Sequence, residues 1–314
     1  MKHNHSSFAS STVMRPSDRY PPMENMLPVG NYRAQWGEGP LWWNDRLLYV
    51  DIEKHLVIEY SPDTNEEKSW DVSSSVGRVG TVVPCAESNS HLIVAGDNGL
   101  YTLNRDNGET TAISNPEPEK ENNRFNDGKC SPDGRFFAGT ISLVKNQGDA
   151  ALYRLDSDLS LHTAFSGVTN SNGIVWDATG TICYYIDTPR LGVIAFDYSA
   201  ETGQLSNERE AFSTSDIAAS PDGMTIDANG NLWIAFCHGA CVVCYDPTTG
   251  KELHRVELPC LETTACAFGG ANLDELYVTT GIHKTEQEEH AGKLFKVTGL
   301  GVTGLPANPF KGQI

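Results

Sequence analysis

Residues 231–253 read NLWIAFCHGACVVCYDPTTGKEL, and the fold is decided in that stretch. An apolar run, LWIAFC, ends in a His-Gly turn, a second run, CVVCY, follows at once, and Asp246-Pro-Thr-Thr-Gly250 closes the unit. Runs of β-branched and aromatic residues broken by such turns are strands joined by hairpins. In the closing turn the Pro presets φ and the Gly accepts a positive φ.

Moving outward, the same unit recurs at 46–67 (RLLYVDIEKHLVIEYSPDTNEE), 91–111 (HLIVAGDNGLYTLNRDNGETT), 135–141 with 151–159 (RFFAGTI, ALYRLDSDL), 181–204 (TICYYIDTPRLGVIAFDYSAETGQ) and 275–281 with 292–301 (ELYVTTG, GKLFKVTGLG). One apolar or aromatic anchor in the first run of each unit gives Tyr49, Ile93, Phe137, Tyr185, Trp233 and Tyr277, separated by 44, 44, 48, 48 and 44 residues. A period in the mid-forties is that of a propeller blade. The expected fold is therefore all-β, a six-bladed β-propeller with four antiparallel strands per blade, occupying 26–314 as one domain with little helix. Two stacked β-sandwiches would require no such period. Residues 1–25 are polar and Pro-punctuated and are expected to form a flexible extension.

Composition narrows the partner. The 314 residues carry 23 Lys+Arg against 41 Asp+Glu, and 23 − 41 = −18, which argues against nucleic acid or an anionic membrane surface, since both demand clustered basic side chains. No apolar run approaches the roughly 18 residues of a membrane span, and the N-terminus has no secretory h-region. The expectation is a cytoplasmic protein, monomeric or a small homo-oligomer, acting on a small molecule or binding a cation. Eight cysteines over this length are too dilute for a disulfide scaffold. Cys241 and Cys244 form a C-x-x-C, read as packing because Cys237 and His238 nearby do not supply a second pair at zinc spacing.

Four places break the repeat at matching positions, where a propeller's inner strands converge on the channel. Glu38 lies in WGEGP (36–40); Arg124, Asn126 and Asp127 lie in NNRFNDGK (122–129); Asn172 lies in TNSNGI (169–174); Asp222 lies in SPDGM (220–224). Asn or Asp beside Gly is an ordinary turn former, but Asn172 stands five residues before Asp177 and Asp222 five before Asp227. Equal setback puts both side chains at one height. A Glu, an Asp and an Asn amide oxygen make a hard, oxygen-only donor set suited to Ca²⁺, Mg²⁺ or Mn²⁺; zinc could occupy it, but no His or Cys selects it. Asp177, Asp227 and Asp246, in the repeated turns, are expected to be structural.

These stretches, with GRFFAGT (134–140), YYID (184–187), TTACAFGG (263–270) and GLGV (299–302), resemble the SMP-30/gluconolactonase/luciferin-regenerating family in order and spacing, over about 31–309. The resemblance implies a six-bladed propeller with one divalent metal in its channel, calcium foremost, and hydrolysis of sugar lactones to aldonic acids, a step of carbohydrate metabolism. By position Glu38, Asn172 and Asp222 match the family's metal ligands, and Arg124 and Asn126 its substrate-binding pair. The loop 139–148 is shorter than in vertebrate members and has no acid before Asp149, so sugar contacts there do not transfer.

The expected mechanism has the metal polarising the lactone carbonyl while Asp222 takes a proton from water. Arg124 and Asn126 orient ring hydroxyls, and Asp127 braces Arg124 or a backbone N–H. A phosphotriesterase or fluorophosphatase on the same metal propeller, and a non-enzymatic calcium-binding propeller, are the alternatives. His238 and His283 could both reach the channel mouth. No Gly-x-Ser-x-Gly elbow supports a serine hydrolase.

Overall fold

The computed structural model describes residues 25–314, and the proposed extension, save Asn25, lies outside them. Twenty-four strands, β1 to β24 in chain order, form six four-stranded antiparallel sheets, with no α-helix among the described residues. The expected six-bladed propeller is the fold. Five blades are consecutive meanders, whereas the sixth is composite: β22 (Thr263–Gly269), β23 (Glu275–Thr280) and β24 (Leu294–Val297) are completed by β1 (Met26–Val29). Met26 pairs with Val297 and Val29 with Leu294. This closure by the N-terminal strand was not legible in the repeat.

The six anchors all lie on the second strand of their blade: β3 (Arg46–Asp51), β7 (Ser88–Gly96), β11 (Phe136–Ser142), β15 (Ile182–Asp187), β19 (Leu232–Cys237) and β23. Their side chains join one blade to the next. Phe137 meets Trp176 of the following blade at 5.1 Å between ring centroids, Trp233 meets Phe268 at 5.6 Å, and Tyr277 stacks on Trp42 at 5.4 Å across the ring closure. Each such buried aromatic contributes about 1.5–3 kcal/mol through apolar burial, so the period records the spacing of interblade contacts.

The innermost strands are β2 (Gly37–Trp43), β6 (Val79–Cys85), β10 (Asn123–Cys130), β14 (Ser171–Trp176), β18 (Ser220–Ile226) and β22, and the four polar stretches that break the repeat lie on β2, β10, β14 and β18 or at their starts. In every innermost strand the pairing with the second strand skips, between Glu38 and Leu41, Val79 and Thr81, Phe125 and Gly128, Ser171 and Ile174, Pro221 and Met224, and Thr263 and Ala265. A bulge of this kind re-aims a side chain and hides the strand's alternation.

The glycines that follow Asn172 and Asp222 are not there for turns. Neither has a positive φ. A Cβ on Gly173 would stand 2.5 Å from Met224 Cβ, and one on Gly223 would stand 2.3 Å from Ala265 Cβ. Inner strands of adjacent blades approach so closely at the bulges that only glycine fits.

Carboxylates of the repeated turns are structural, as expected. Asp177 accepts from the Thr181 and Ile182 N–H groups, and Asp227 from the Asn229 and Asn231 N–H groups and Trp233 Nε1. Cys241 and Cys244 face different apolar clusters, one on each side of their strand, so the C-x-x-C cannot close on a single ion.

Candidate metal centre and substrate cavity

All six innermost strands start at one mouth of the channel and end at the other. At the starting mouth lies a cavity of about 1000 Å³, walled by Glu38, Arg124, Asn126, Asn172 and Asp222, with Trp36, Glu53, Cys237, His238 and His283 around it. The structure therefore brings together, from four blades, every residue singled out for metal or substrate; Asp127 alone turns to a small cleft deeper in the channel. The bulges explain the convergence, since each lies at or beside one of these side chains.

Glu38 and Asp222 are both buried and hydrogen-bonded to one another through their side chains. Glu38 also accepts from the Gly39 N–H at 3.0 Å. Burial, then repulsion from Asp127, lifts Glu38 to about 8. Asp222 is driven well above the carboxylate range by burial and then by Glu38 and Asp127. Burial raises Asp127 too, opposed by Lys129 and by the Gly128 N–H that its Oδ1 accepts at 2.7 Å. Burial and mutual repulsion thus disfavour full ionisation of the Glu38–Asp222 pair, and a cation between the two would relieve it.

The neighbouring amides hold fixed directions. Asn172 Nδ2 donates to Thr188 Oγ1 at 2.8 Å, and that hydroxyl donates to the Pro221 carbonyl at 2.9 Å. Asn126 Nδ2 donates to the Ser171 carbonyl at 2.7 Å and to Asn172 Oδ1 at 3.2 Å, while Asn126 Oδ1 accepts from Arg124 at 2.7 Å. Asn172 Oδ1 is thus pinned from both sides of its amide. Arg124 donates to the Phe125 carbonyl as well, but its buried Nε has no partner. Burial, then repulsion from Arg78, lowers its guanidinium to about 10, which still leaves it charged at neutral pH.

A buried Asp at the end of the second strand steadies the approach to the inner strand in two blades. Asp51 accepts from the Gln35 and Trp36 N–H groups at 2.7 and 3.0 Å, and Asp187 from those of Thr169 and Asn170 at 3.1 and 2.8 Å. Both serve cavity walls.

A profile of the SMP-30/gluconolactonase/LRE-like region matches residues 36–282, from just before Glu38 to beyond the last inner strand. The chain belongs to the SMP-30/gluconolactonase/LRE-like family. Regucalcin of Danio rerio is 40% identical over 287 residues, covering 88% of this chain and 95% of that protein. A solved luciferin-regenerating enzyme superposes with a TM-score of 0.83 at 31% identity, covering 89% of this chain and 96% of the other. A calcium-binding protein, regucalcin, from Agrobacterium tumefaciens shares the fold, with a TM-score of 0.84 at 23% identity over 90% of this chain and 97% of that one. Family membership supports a lactonase-like role.

Within this SMP-30/gluconolactonase/LRE-like propeller, the shortened loop presents Leu143, Lys145 and Gln147 to the cavity. That wall carries no carboxylate, in keeping with the departure seen in the sequence. Two contributors escaped the sequence reading. Thr188 follows Asp187 and precedes a Pro, so it read as part of a turn. Glu262 touches Cys237 and His238 only because the sixth blade lies against the fifth.

Proposed function

We propose that this chain is a metal-dependent hydrolase that opens sugar lactones to aldonic acids. The observation that carries the reading is the buried, hydrogen-bonded pair Glu38 and Asp222 at the wall of a cavity large enough for a sugar. Glu38, Asp222 and Asn172 Oδ1 would hold one divalent ion, and the all-oxygen donor set favours Ca²⁺, with Mg²⁺, Mn²⁺ and Zn²⁺ as competitors. The Agrobacterium neighbour's description as calcium-binding supports the same choice. When bound, such an ion supplies Lewis acidity at a carbonyl oxygen.

The chain's own residues do the rest. Asp222 shares a proton with Glu38 when no cation is present; once a cation takes that proton's place, Asp222 is ionised and can accept a proton from water. Arg124 offers its unpartnered Nε and fixed positive charge to ring hydroxyls. Asn126 has both amide hydrogens engaged, so one acceptor lone pair is left for substrate, and its main task is to hold Arg124 and Asn172 in place. Trp36, Ile141, Leu143 and Ile282 give the same cavity apolar walls that limit water. A cytoplasmic setting accords with eight buried cysteines, all reduced.

The test is gluconolactone hydrolysis by EDTA-stripped protein before and after adding each of Ca²⁺, Mg²⁺, Mn²⁺ and Zn²⁺. Activity should vanish on stripping and return with at least one ion; hydrolysis indifferent to EDTA would overturn the reading. A rise in Tm with Ca²⁺ but no turnover of any lactone would instead favour a non-enzymatic calcium-binding propeller.

A further inference from the structure

Cys237 and His238 line the cavity at the junction of the fifth and sixth blades, and Glu262 stands buried behind them. Their ligand atoms lie within 4.8 Å of one another: His238 Nδ1 is 2.8 Å from Glu262 Oε2, and the Cys237 thiol donates to that same oxygen at 3.3 Å. Glu262 is 1% exposed and Cys237 is buried, whereas the His238 side chain is 52% exposed and lines the cavity with Cys237. No Lys or Arg forms an ion pair with Glu262 among the described residues.

Strand register shows how unusual this cluster is. Asp51 pairs with Gly37, Asp187 with Ser171 and Cys237 with Ser220, each the first residue of an inner strand, so the three occupy one structural position. Asp51 and Asp187 spend that position accepting backbone N–H groups. Cys237 instead directs its sulfur sideways to a buried carboxylate of the next blade, beside an imidazole that a left-handed hairpin residue (φ 65°) holds over it. Backbone bracing therefore does not account for it. Nor does nucleophilic chemistry, because the sulfur is buried and its hydrogen bond runs to the Glu262 carboxylate rather than to the imidazole that would have to deprotonate it.

We propose that Cys237, His238 and Glu262 form a second cation site, a thiolate–imidazole–carboxylate set that takes Zn²⁺ or another borderline-soft divalent ion, separate from the oxygen-only centre. Three such ligands with a fourth position open to water are the pattern of an accessible zinc site. Separations of about 3 to 4 Å between ligand atoms are what Zn–S near 2.3 Å and Zn–N and Zn–O near 2.0 Å require. Binding transfers the Cys237 proton to solvent and puts the thiolate sulfur, the Nδ1 lone pair and a Glu262 oxygen on the ion, with the fourth position open to the cavity. The channel thus sorts two cations by softness, the hard one at Glu38, Asn172 and Asp222 and the soft one on the wall beside them.

The test uses the full chain, stripped with EDTA and titrated with Co²⁺ as a spectroscopic stand-in and with Zn²⁺ for stoichiometry. Wild type should develop the near-ultraviolet sulfur-to-cobalt charge-transfer band that a thiolate ligand produces and an oxygen-only site cannot. The band should persist in Glu38→Gln, so it reports on this site even if the lactonase reading fails. It should disappear in Cys237→Ser, which should also bind one zinc fewer per chain. His238→Asn, at a half-exposed position that leaves the core untouched, should weaken zinc at least about tenfold, the loss that removing even a hydrogen-bond partner of a ligand produces. Absence of the band in wild type, or its survival in Cys237→Ser, would overturn the proposal and leave the cluster as a hydrogen-bonded His–Glu pair.

Discussion

The two mouths of the channel are built from the two ends of the same six strands, yet they share almost no chemistry. Where the inner strands begin, their pairing is bulged, carboxylates and amides point inward, and the cavity is about 1000 Å³. Where they end, pairing is regular in every blade but the second, and Leu41, Trp42, Trp176, Ile226 and Phe268, with Lys129 and Asp177 among them, line a cavity of about 270 Å³ bounded by 305–308. Phe310 anchors that segment: it is fully buried, its N–H donates to the Pro84 carbonyl at 2.8 Å, and its carbonyl accepts from the Ala86 N–H at 2.7 Å. Bulged pairing at one end and largely regular pairing at the other teach that a strand can leave its ladder where it presents polar side chains because it keeps that ladder where it packs.

Substitutions can break that division. Asp222→Ala should abolish both ion binding and lactone hydrolysis, a loss of about 10³-fold or more, while the thermal transition of the metal-free protein stays near wild type; lactone kinetics, elemental analysis and calorimetry check this together. At the opposite mouth, Phe310→Ala should cost about 3–5 kcal/mol of stability and leave ion affinity per folded molecule unchanged, as urea unfolding and calcium titration would reveal. Asn126→Ala sharpens the contrast. Because its amide holds both Arg124 and Asn172, the variant should retain metal but bind it about 10-fold more weakly, with a higher KM for lactone; complete loss of metal would mean that Asn126 is itself a ligand. Thr188→Val removes only the hydroxyl between Asn172 and the Pro221 carbonyl, so an effect of a few-fold to about tenfold on metal affinity is expected, with a loss of unfolding free energy of no more than about 1 kcal/mol.

The packed half of the molecule was the more legible in sequence. Tyr49, Phe137, Trp233 and their counterparts recur because interblade contacts recur, and a period survives any local irregularity. The innermost strands were visible only as interruptions, since a skipped pairing erases alternation at the very residues that matter. Glu38, Asn172 and Asp222 could still be singled out as candidates because an acid or amide among glycines has little packing use, although the glycines after Asn172 and Asp222 proved to serve close approach between blades. Thr188 and Glu262 could not be found that way. Their partners are supplied by another strand or another blade, and nothing local in the sequence marks them.

The pairing of Met26 with Val297 also has a meaning for biosynthesis. β1 is the first strand made and its partner β24 the last, so the ring cannot shut until β24 has left the ribosome, and until then the nascent chain is an open arc whose first strand has unsatisfied edges. Such edges are templates for pairing with other chains. A transcript cut short before β24 would yield a product that has most of its blades and can never close, one that quality control must remove before it associates with its own kind.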